Sequence, residues 1–191
     1  MLPRVVLAST SPYRAERLAT LDLPFEQARP DMDETPLPGE TPFDLALRLA
    51  RGKALSLTGS HPNCLIIGSD QTAADGQGNL LGKPGSVARA VDQLSRCSGN
   101  SLTFYSGVAL AGPIEDAWVV TTEVIFRDLT RAEIDRYIEK ESPLDCAGSF
   151  KVEALGITLF QSVRSDDPNA LIGLPLISLA NKLREAGYFL P

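Results

Sequence analysis

Two short apolar runs, far apart in the chain and each followed at once by polar residues, constrain the fold most. Arg4–Ala8 leads into Ser9-Thr10-Ser11-Pro12, and Cys64–Ile67 leads into Gly68-Ser69-Asp70-Gln71. Such runs predict short buried strands, and the polar residues after Ile67 predict the end of the second one. Helical patterns separate the two strands, so the chain crosses over between them. The expected class is mixed α and β.

Capping signals predict where the helices begin and end. Ser, Thr or Asn before a first helical residue satisfies free N–H groups, and proline fits the first helical turn. These signals place helix starts at Ser11-Pro12, Thr41-Pro42, Ser86-Val87 and the capping box Thr130–Glu133. The first helix is expected to run to about Leu21. The last is expected over Pro175–Ala186, with Gly187 just after its end.

Paired strands are predicted mainly in the second half of the chain. Apolar residues alternate over 102–110, and the run 118–126 follows a Gly112-Pro113 turn, which predicts an antiparallel pair. A further strand is expected over 155–163. The length of 191 residues fits one domain, and this uneven strand distribution favours two lobes that share a cleft.

Composition excludes several classes of function. The net charge of −6 disfavours nucleic-acid binding, which needs a basic surface. The single histidine, His61, stands in a turn, so histidine-based nucleophile systems and multi-histidine metal sites are disfavoured. The three cysteines form no CxxC pair, which favours a reducing, cytoplasmic location. No apolar run is long enough to span a membrane. Acid–base chemistry must come from carboxylates and lysines.

Several cations stand where a phosphate chain could use them. The helix after Ser9 offers free N–H groups, and Arg14 adds a fork of donors, with Arg17 three residues further on. Three lysines extend this set, namely Lys53, Lys83 and Lys151. Gly82-Lys83-Pro84 is not a P-loop, because the glycine spacing is wrong and Pro84 replaces the serine or threonine. A solvated surface role is the alternative for each cation.

Carboxylates supply the complementary charge. Asp31, Asp33 and Glu34 could gather a hard cation or form a solvated turn. Asp31–Thr35 also fits the DxDxT phosphatase signature, but the polar, proline-containing residues before it do not form the buried strand that this chemistry needs. Asp70 follows an apolar strand, where ligands bind in α/β sheets, and could hold a metal or take a proton from water. Lys151 and Glu153 would share a face if extended.

Together these residues favour metal-assisted attack on a phosphate chain. Arg14 and the lysines would bind phosphates, while Glu34 and Asp70 would hold Mg²⁺ or Mn²⁺. The expected partner is a small nucleotide or polyphosphate, with neither nucleic acid nor membrane. A homodimer is left open as the oligomeric state.

Six ordered blocks resemble the Maf family of nucleoside triphosphate pyrophosphatases, over Leu7 to about Gly187. The blocks are Leu7–Pro12, Asp33–Pro36, Ile67–Gln71, Gly82–Pro84, Cys146–Lys151 and Leu171–Leu176. The resemblance implies one Maf-like domain, 1–191, with an elongated mixed α/β sheet, flanking helices and a central cleft between two lobes, as in inosine-triphosphate pyrophosphatases. It also implies a divalent cation and cleavage between the α- and β-phosphates.

The resemblance also implies individual roles. Asp70 falls on the family's proton acceptor, and the polar cleft positions are matched by Ser9, Arg14, Glu34, Lys53 and Lys83. Gln71, Glu153 and Tyr13, which stands where the dTTP and UTP members usually have arginine, resemble the branch that hydrolyses 7-methyl-GTP, although many members of that branch have tryptophan in place of Tyr13. A tyrosine can stack on the cationic methylated guanine, and Glu153 could accept hydrogen bonds from its N–H edge.

One departure keeps alternatives open. The family motif usually has two adjacent arginines, whereas this chain has Arg14 and Ala15, with Arg17 as a substitute one turn further on. The alternatives are a dTTP or UTP pyrophosphatase, and a non-catalytic nucleotide-binding regulator of cell division. A DxDxT phosphatase is disfavoured by the residues before Asp31.

Overall fold

A six-stranded sheet organises the chain in the computed structural model, which describes residues 2–191. Its strands lie in the order β2-β1-β3-β4-β5-β6. The strands are β1 (Val5–Ala8), β2 (Phe25–Ala28), β3 (Leu65–Asp75), β4 (Ser101–Ala111), β5 (Asp116–Phe126) and β6 (Phe160–Ser165). The helices are α1 (Pro12–Ala19), α2 (Pro42–Ser56), α3 (Val87–Cys97), α4 (Arg131–Glu141) and α5 (Leu176–Glu185). The mixed α/β class is therefore confirmed, and none of the described helices is long and apolar enough to cross a membrane.

The capping signals located the helix starts. The side chains of Ser11, Thr41 and Ser86 each accept a hydrogen bond from a backbone N–H in the first turn of the helix that follows. Thr130 and Glu133 form the predicted capping box. α5 ends at Glu185, and Gly187 adopts φ +88°, the left-handed conformation that terminates helices.

The chain forms two compact units. The first comprises the residues up to Gln71, Tyr105–Val120 and Asp166–Pro191, and the second comprises Thr72–Phe104 and Thr121–Ser165. In the first unit, β1 pairs in parallel with both β2 and β3. Its apolar core includes Leu7, Leu18, Ile67, Val108 and Leu179. Phenylalanines dominate the second unit, where Phe126, Phe150 and Phe160 contact one another edge to face.

Helix α2 lies unusually close to the sheet in the first unit. A Cβ atom added at Gly68 would lie 2.2 Å from the Ala50 carbonyl oxygen, and one at Gly107 would lie 2.4 Å from the Ala46 carbonyl oxygen. Both distances are shorter than van der Waals contact, so only glycine permits this approach. The approach brings Lys53, on α2, to the strand residue Asp70.

Two predictions about strands were wrong, and the extended conformation considered for Lys151–Glu153 is not observed. β3 does not end at Gly68 but continues to Asp75, because the side chains of Ser69 and Asp70 are buried and bonded within the protein. Residues 155–159 form a 3₁₀ turn, so only the end of the strand expected over 155–163 exists. Lys151 and Glu153 do not alternate along a strand, because residues 150–154 form an irregular segment with a turn. The expected cleft stays a prediction.

Candidate active site

In the first unit, one lysine is held between two carboxylates. The Lys53 ammonium contacts Asp70 Oδ1 at 2.5 Å and Glu34 Oε1 at 2.9 Å. Lys53 and Asp70 are buried, whereas the Glu34 side chain is 58% exposed. The two predicted carboxylates are thus brought together, and Lys53 is their shared partner.

The start of α1 adds hydrogen-bond donors to this region. Arg14 Nε donates to the Gly173 carbonyl oxygen at 3.0 Å, and Arg14 Nη1 lies 3.5 Å from Ser9 Oγ. Burial lowers the pKa of Arg14, and the negative charges of Asp70 and Glu34 oppose that shift. The guanidinium charge of Arg14 therefore interacts with the charges of both carboxylates. Ser9 itself is buried and accepts a hydrogen bond from the Ser11 N–H.

The loop that carries Glu34 is held by an ion pair. Arg48 binds Glu40 with two hydrogen bonds, of 2.6 and 2.8 Å, and also donates to the Thr35 carbonyl oxygen. Hydrogen bonding to Arg48 lowers the pKa of Glu40 to about 2. Asp33 accepts from the Thr35 N–H, so its carboxylate stabilises the loop itself. Asp31 is exposed and follows an edge strand rather than a buried one, so it lacks the setting of a DxDxT nucleophile.

The amide of Gln71 is fixed in one orientation. Its Nε2 lies 2.9 Å from the Ala170 carbonyl oxygen, 3.2 Å from the Leu171 carbonyl oxygen and 3.0 Å from Ser106 Oγ. Backbone carbonyls only accept hydrogen bonds, so the NH₂ group must face them. The side-chain oxygen of Gln71, a hydrogen-bond acceptor, is therefore directed away from the loop that contains Ala170 and Leu171.

Two buried serines support the same loop, and sequence reasoning missed both. Ser106 donates to the Ala170 carbonyl oxygen at 2.6 Å, and Ser69 lies 2.9 Å from the carbonyl oxygens of Gly107 and Gly173. Gly173 adopts φ +105°, a conformation that suits glycine. The Leu171–Leu176 block thus presents backbone carbonyls to Arg14, Ser69 and Gln71. Ser69 stood inside a recognised motif, but Ser106 carried no signal in the sequence.

The remaining predicted residues differ in exposure and partners. Tyr13 lies at the start of α1 with 38% of its surface exposed. In the second unit, Lys83 and Glu153 are exposed. The Lys151 N–H donates to the Tyr137 hydroxyl at 3.0 Å, and the Lys151 ammonium lies 3.3 Å from the Glu141 carbonyl oxygen.

Ala15 and Arg17 do not reproduce a pair of adjacent arginines. Ala15 packs against the apolar core of the first unit. Arg17 pairs with its neighbour Glu16 at 2.8 Å. Compensation by Arg17 stays a prediction.

Glu34 and Asp70 alone provide too few ligands for a metal ion, so phosphate oxygens of a bound substrate would have to complete the set. Within residues 2–191, no group of three or more histidine, cysteine or acidic side chains is arranged to hold a metal. Glu34 and Asp70 nevertheless converge on one ammonium, so their oxygens are close enough to share a cation. Two carboxylates completed by phosphate oxygens and water are a usual donor set for Mg²⁺. A divalent ion that binds together with a phosphate chain would share these two carboxylates with Lys53, whose ammonium lies between them.

Known proteins resemble this chain over nearly its whole length. The family described as "Maf-like protein" matches residues 4–186. A protein of Xanthomonas oryzae pv. oryzae named "7-methyl-GTP pyrophosphatase" is 52% identical over 100% of both chains. One of Aromatoleum aromaticum with the same name is 53% identical over 98% of both. In fold, the HAM1 protein of Coxiella burnetii has a TM-score of 0.55 at 20% identity, covering 97% of this chain and 100% of that one. This similarity confirms the predicted mixed α/β fold with flanking helices.

Proposed function

The chain belongs to the Maf family, and we propose on that premise that it hydrolyses 7-methyl-GTP to 7-methyl-GMP and pyrophosphate. Full-length relatives at 52–53% identity carry the name of this activity. The structural observation that carries the proposal is the Asp70–Lys53–Glu34 group beside Arg14. It combines a buried carboxylate with cations that suit a phosphate chain.

We propose that Asp70 orients a water molecule and accepts its proton. The water oxygen forms a bond to the α-phosphorus, the bond from that phosphorus to the α–β bridging oxygen breaks, and pyrophosphate leaves. The Lys53 ammonium, at 2.5 Å from Asp70 Oδ1, fixes the direction of the carboxylate. Geometry held in this way is what general-base catalysis requires.

Phosphate binding is assigned to the donors at the start of α1 and to the lysines. Ser9 Oγ accepts from the Ser11 N–H and faces Arg14, which leaves its own proton for a phosphate oxygen. Arg14, Lys53, Lys83 and Lys151 would stabilise the charge of the leaving pyrophosphate. Glu34 and Asp70 would hold Mg²⁺ or Mn²⁺, which when bound neutralises charge on the phosphates.

Base selection is assigned to Tyr13, Gln71 and Glu153. The fixed amide of Gln71 offers an acceptor oxygen, and Glu153 is an exposed acceptor in the second unit. The Watson–Crick edge of guanine carries neighbouring N–H donors. Two hydrogen-bond acceptors therefore match this edge better than they match the edge of thymine or uracil. The exposed ring of Tyr13 could stack on the positively charged methylated base.

Tyr13→Leu is expected to raise KM for 7-methyl-GTP more than KM for GTP. Only the methylated base is positively charged, so the difference between the two increases in KM isolates the cation–π contribution. We expect this contribution to be about 1–2 kcal/mol, which corresponds to roughly 5- to 30-fold in KM. Steady-state kinetics on both nucleotides measure it, with Leu37→Ala, a change at an exposed apolar residue of the same unit, as control. Equal increases in KM for both nucleotides would remove Tyr13 from base selection.

The reaction type is tested by identifying the products with ³¹P NMR. We expect pyrophosphate and a nucleoside monophosphate to appear together in equal amounts. Inorganic phosphate with the diphosphate would indicate a phosphatase instead. Unchanged nucleotide, despite saturable binding, would indicate a regulator that binds without turnover.

A cytoplasmic location is also proposed. Cys64, Cys97 and Cys146 are all free thiols. Burial raises the pKa of Cys97 and of Cys146 to about 12, so both thiols stay protonated. Unreactive free thiols suit a reducing compartment.

A further inference from the structure

A buried glutamine in the second unit joins the two segments that carry its predicted phosphate-binding lysines. Gln93, on α3, is 8% exposed. Its Nε2 donates to the Gly82 carbonyl oxygen at 3.0 Å, and its Oε1 accepts a hydrogen bond from the Ser149 hydroxyl. Gly82 directly precedes Lys83, and Ser149 stands two residues before Lys151. One side chain therefore spans both segments.

The Ser149 end of this bridge is held in an unusual backbone conformation. Ser149 has φ +62° and no exposed surface, and it follows Gly148 at φ +75°. A left-handed conformation is uncommon for a residue other than glycine and persists where surrounding contacts enforce it. Glycine would relieve the strain, but it has no hydroxyl to donate to Gln93. The serine thus retains a contact at a conformational cost.

The backbone around Lys83 is held at a second point. The Gly85 N–H donates to the Leu144 carbonyl oxygen at 2.9 Å, so the loop is fixed on both sides of Lys83. The Lys83 side chain itself is exposed. The fixed backbone holds the point of attachment of the Lys83 side chain before a phosphate arrives, which reduces the entropy lost on binding.

We propose that Gln93 and Ser149 are positioning residues, which set the backbone of Lys83 and Lys151 for binding of the pyrophosphate part of the substrate. This inference rests on the proposed function for the identity of the ligand. Neither residue carries charge, and Gln93 lies outside every recognised motif. Gln93 and Ser149 therefore act on pyrophosphate binding only through the two segments that carry Lys83 and Lys151.

The test measures the affinity for inorganic pyrophosphate by calorimetry, because binding of this probe does not require turnover. Gln93→Met keeps the length of the side chain but removes both hydrogen bonds, and we expect it to weaken binding by about tenfold. Ser149→Ala is a milder second variant that removes one bond and is expected to weaken binding about threefold. Ser149→Gly, which relieves the strain but lacks the hydroxyl, is expected to resemble Ser149→Ala.

Repeating the measurement in a variant that lacks both lysines distinguishes a positioning role from a general loss of structure. In Lys83→Ala/Lys151→Ala protein, adding Gln93→Met is expected to change the affinity by less than about twofold, because the groups it positions are gone. Ser98→Ala is the matched control. The Ser98 hydroxyl accepts a hydrogen bond from the Leu129 N–H at 2.7 Å and donates to the Leu129 carbonyl oxygen at 3.3 Å, in the same unit, so its loss removes two hydrogen bonds that involve neither lysine segment. It should leave the affinity unchanged.

Two results would overturn the positioning role. One is equal weakening by Gln93→Met in both backgrounds, and the other is unaltered pyrophosphate affinity in folded Gln93→Met protein. Failure of the proposed function is distinguishable, because it would show as pyrophosphate binding by the wild-type protein without hydrolysis of any nucleotide. The affinity comparison would still decide the role of Gln93 and Ser149.

Discussion

Asp70→Asn is expected to lower kcat by about 10³-fold while the protein stays folded. Asparagine keeps the shape of the side chain and can still contact the Lys53 ammonium through its carbonyl oxygen, but it cannot accept a proton from water. Lys53 also keeps Glu34 as a charged partner at 2.9 Å. The change should therefore affect turnover far more than stability. Steady-state kinetics with 7-methyl-GTP measure kcat, and a circular dichroism melt measures stability.

Asp22→Asn is the matched control for this change. It removes the same charge from the same unit at an exposed position with φ +52°, a conformation that asparagine tolerates. It should leave kcat unchanged. If Asp70→Asn kept near-normal turnover, Asp70 would not be the general base.

Lys53→Met is expected to destabilise the protein by about 3 kcal/mol, because it leaves the buried Asp70 carboxylate without its cation. The side chains of Lys53 and Asp70 are only 7% and 12% exposed, so water cannot replace the lost partner well. Hydrolysis should fall as well, since the direction of the carboxylate is no longer fixed. Urea denaturation measures the free energy of unfolding.

The double variant Lys53→Met/Asp70→Asn tests the cause of that loss. Without the buried charge, it should recover at least about half of the stability lost by Lys53→Met alone. Arg51→Met, on the exposed side of the same helix, is the control and should change stability by less than about 0.5 kcal/mol. If the double variant were less stable than Lys53→Met, the burial of an unpaired charge would not explain the effect.

Local signals were enough to locate the helix starts, and they predicted several of the polar residues that the structure brings together. The caps at Ser11, Thr41 and Ser86 act within one helical turn, so three or four neighbouring residues decide them. Asp70 was predicted as a site residue although its strand was predicted to end too early. The apolar run before Asp70 predicted a buried strand at this point of the chain, but not that polar side chains would continue the same strand to Asp75.

Residues that act through long-range contacts gave no such signal. Ser106 and Gln93 are polar residues within regular elements. The partner of Ser106 lies 64 positions away along the chain, and the two partners of Gln93 lie 11 and 56 positions away. The orientation of the Gln71 amide depends on carbonyl groups about 100 residues away. Spacing within a motif cannot predict which backbone groups the fold will bring to a side chain, so these roles needed the structure.

Quantifying pyrophosphate released from 7-methyl-GTP, GTP, dTTP and UTP, at equal concentrations with Mg²⁺, tests the central claim most directly. We predict that 7-methyl-GTP gives most of the pyrophosphate, with a matching amount of monophosphate. Pyrophosphate mainly from dTTP and UTP would contradict the assigned roles of Tyr13, Gln71 and Glu153. No pyrophosphate from any of the four would contradict the proposed hydrolysis itself.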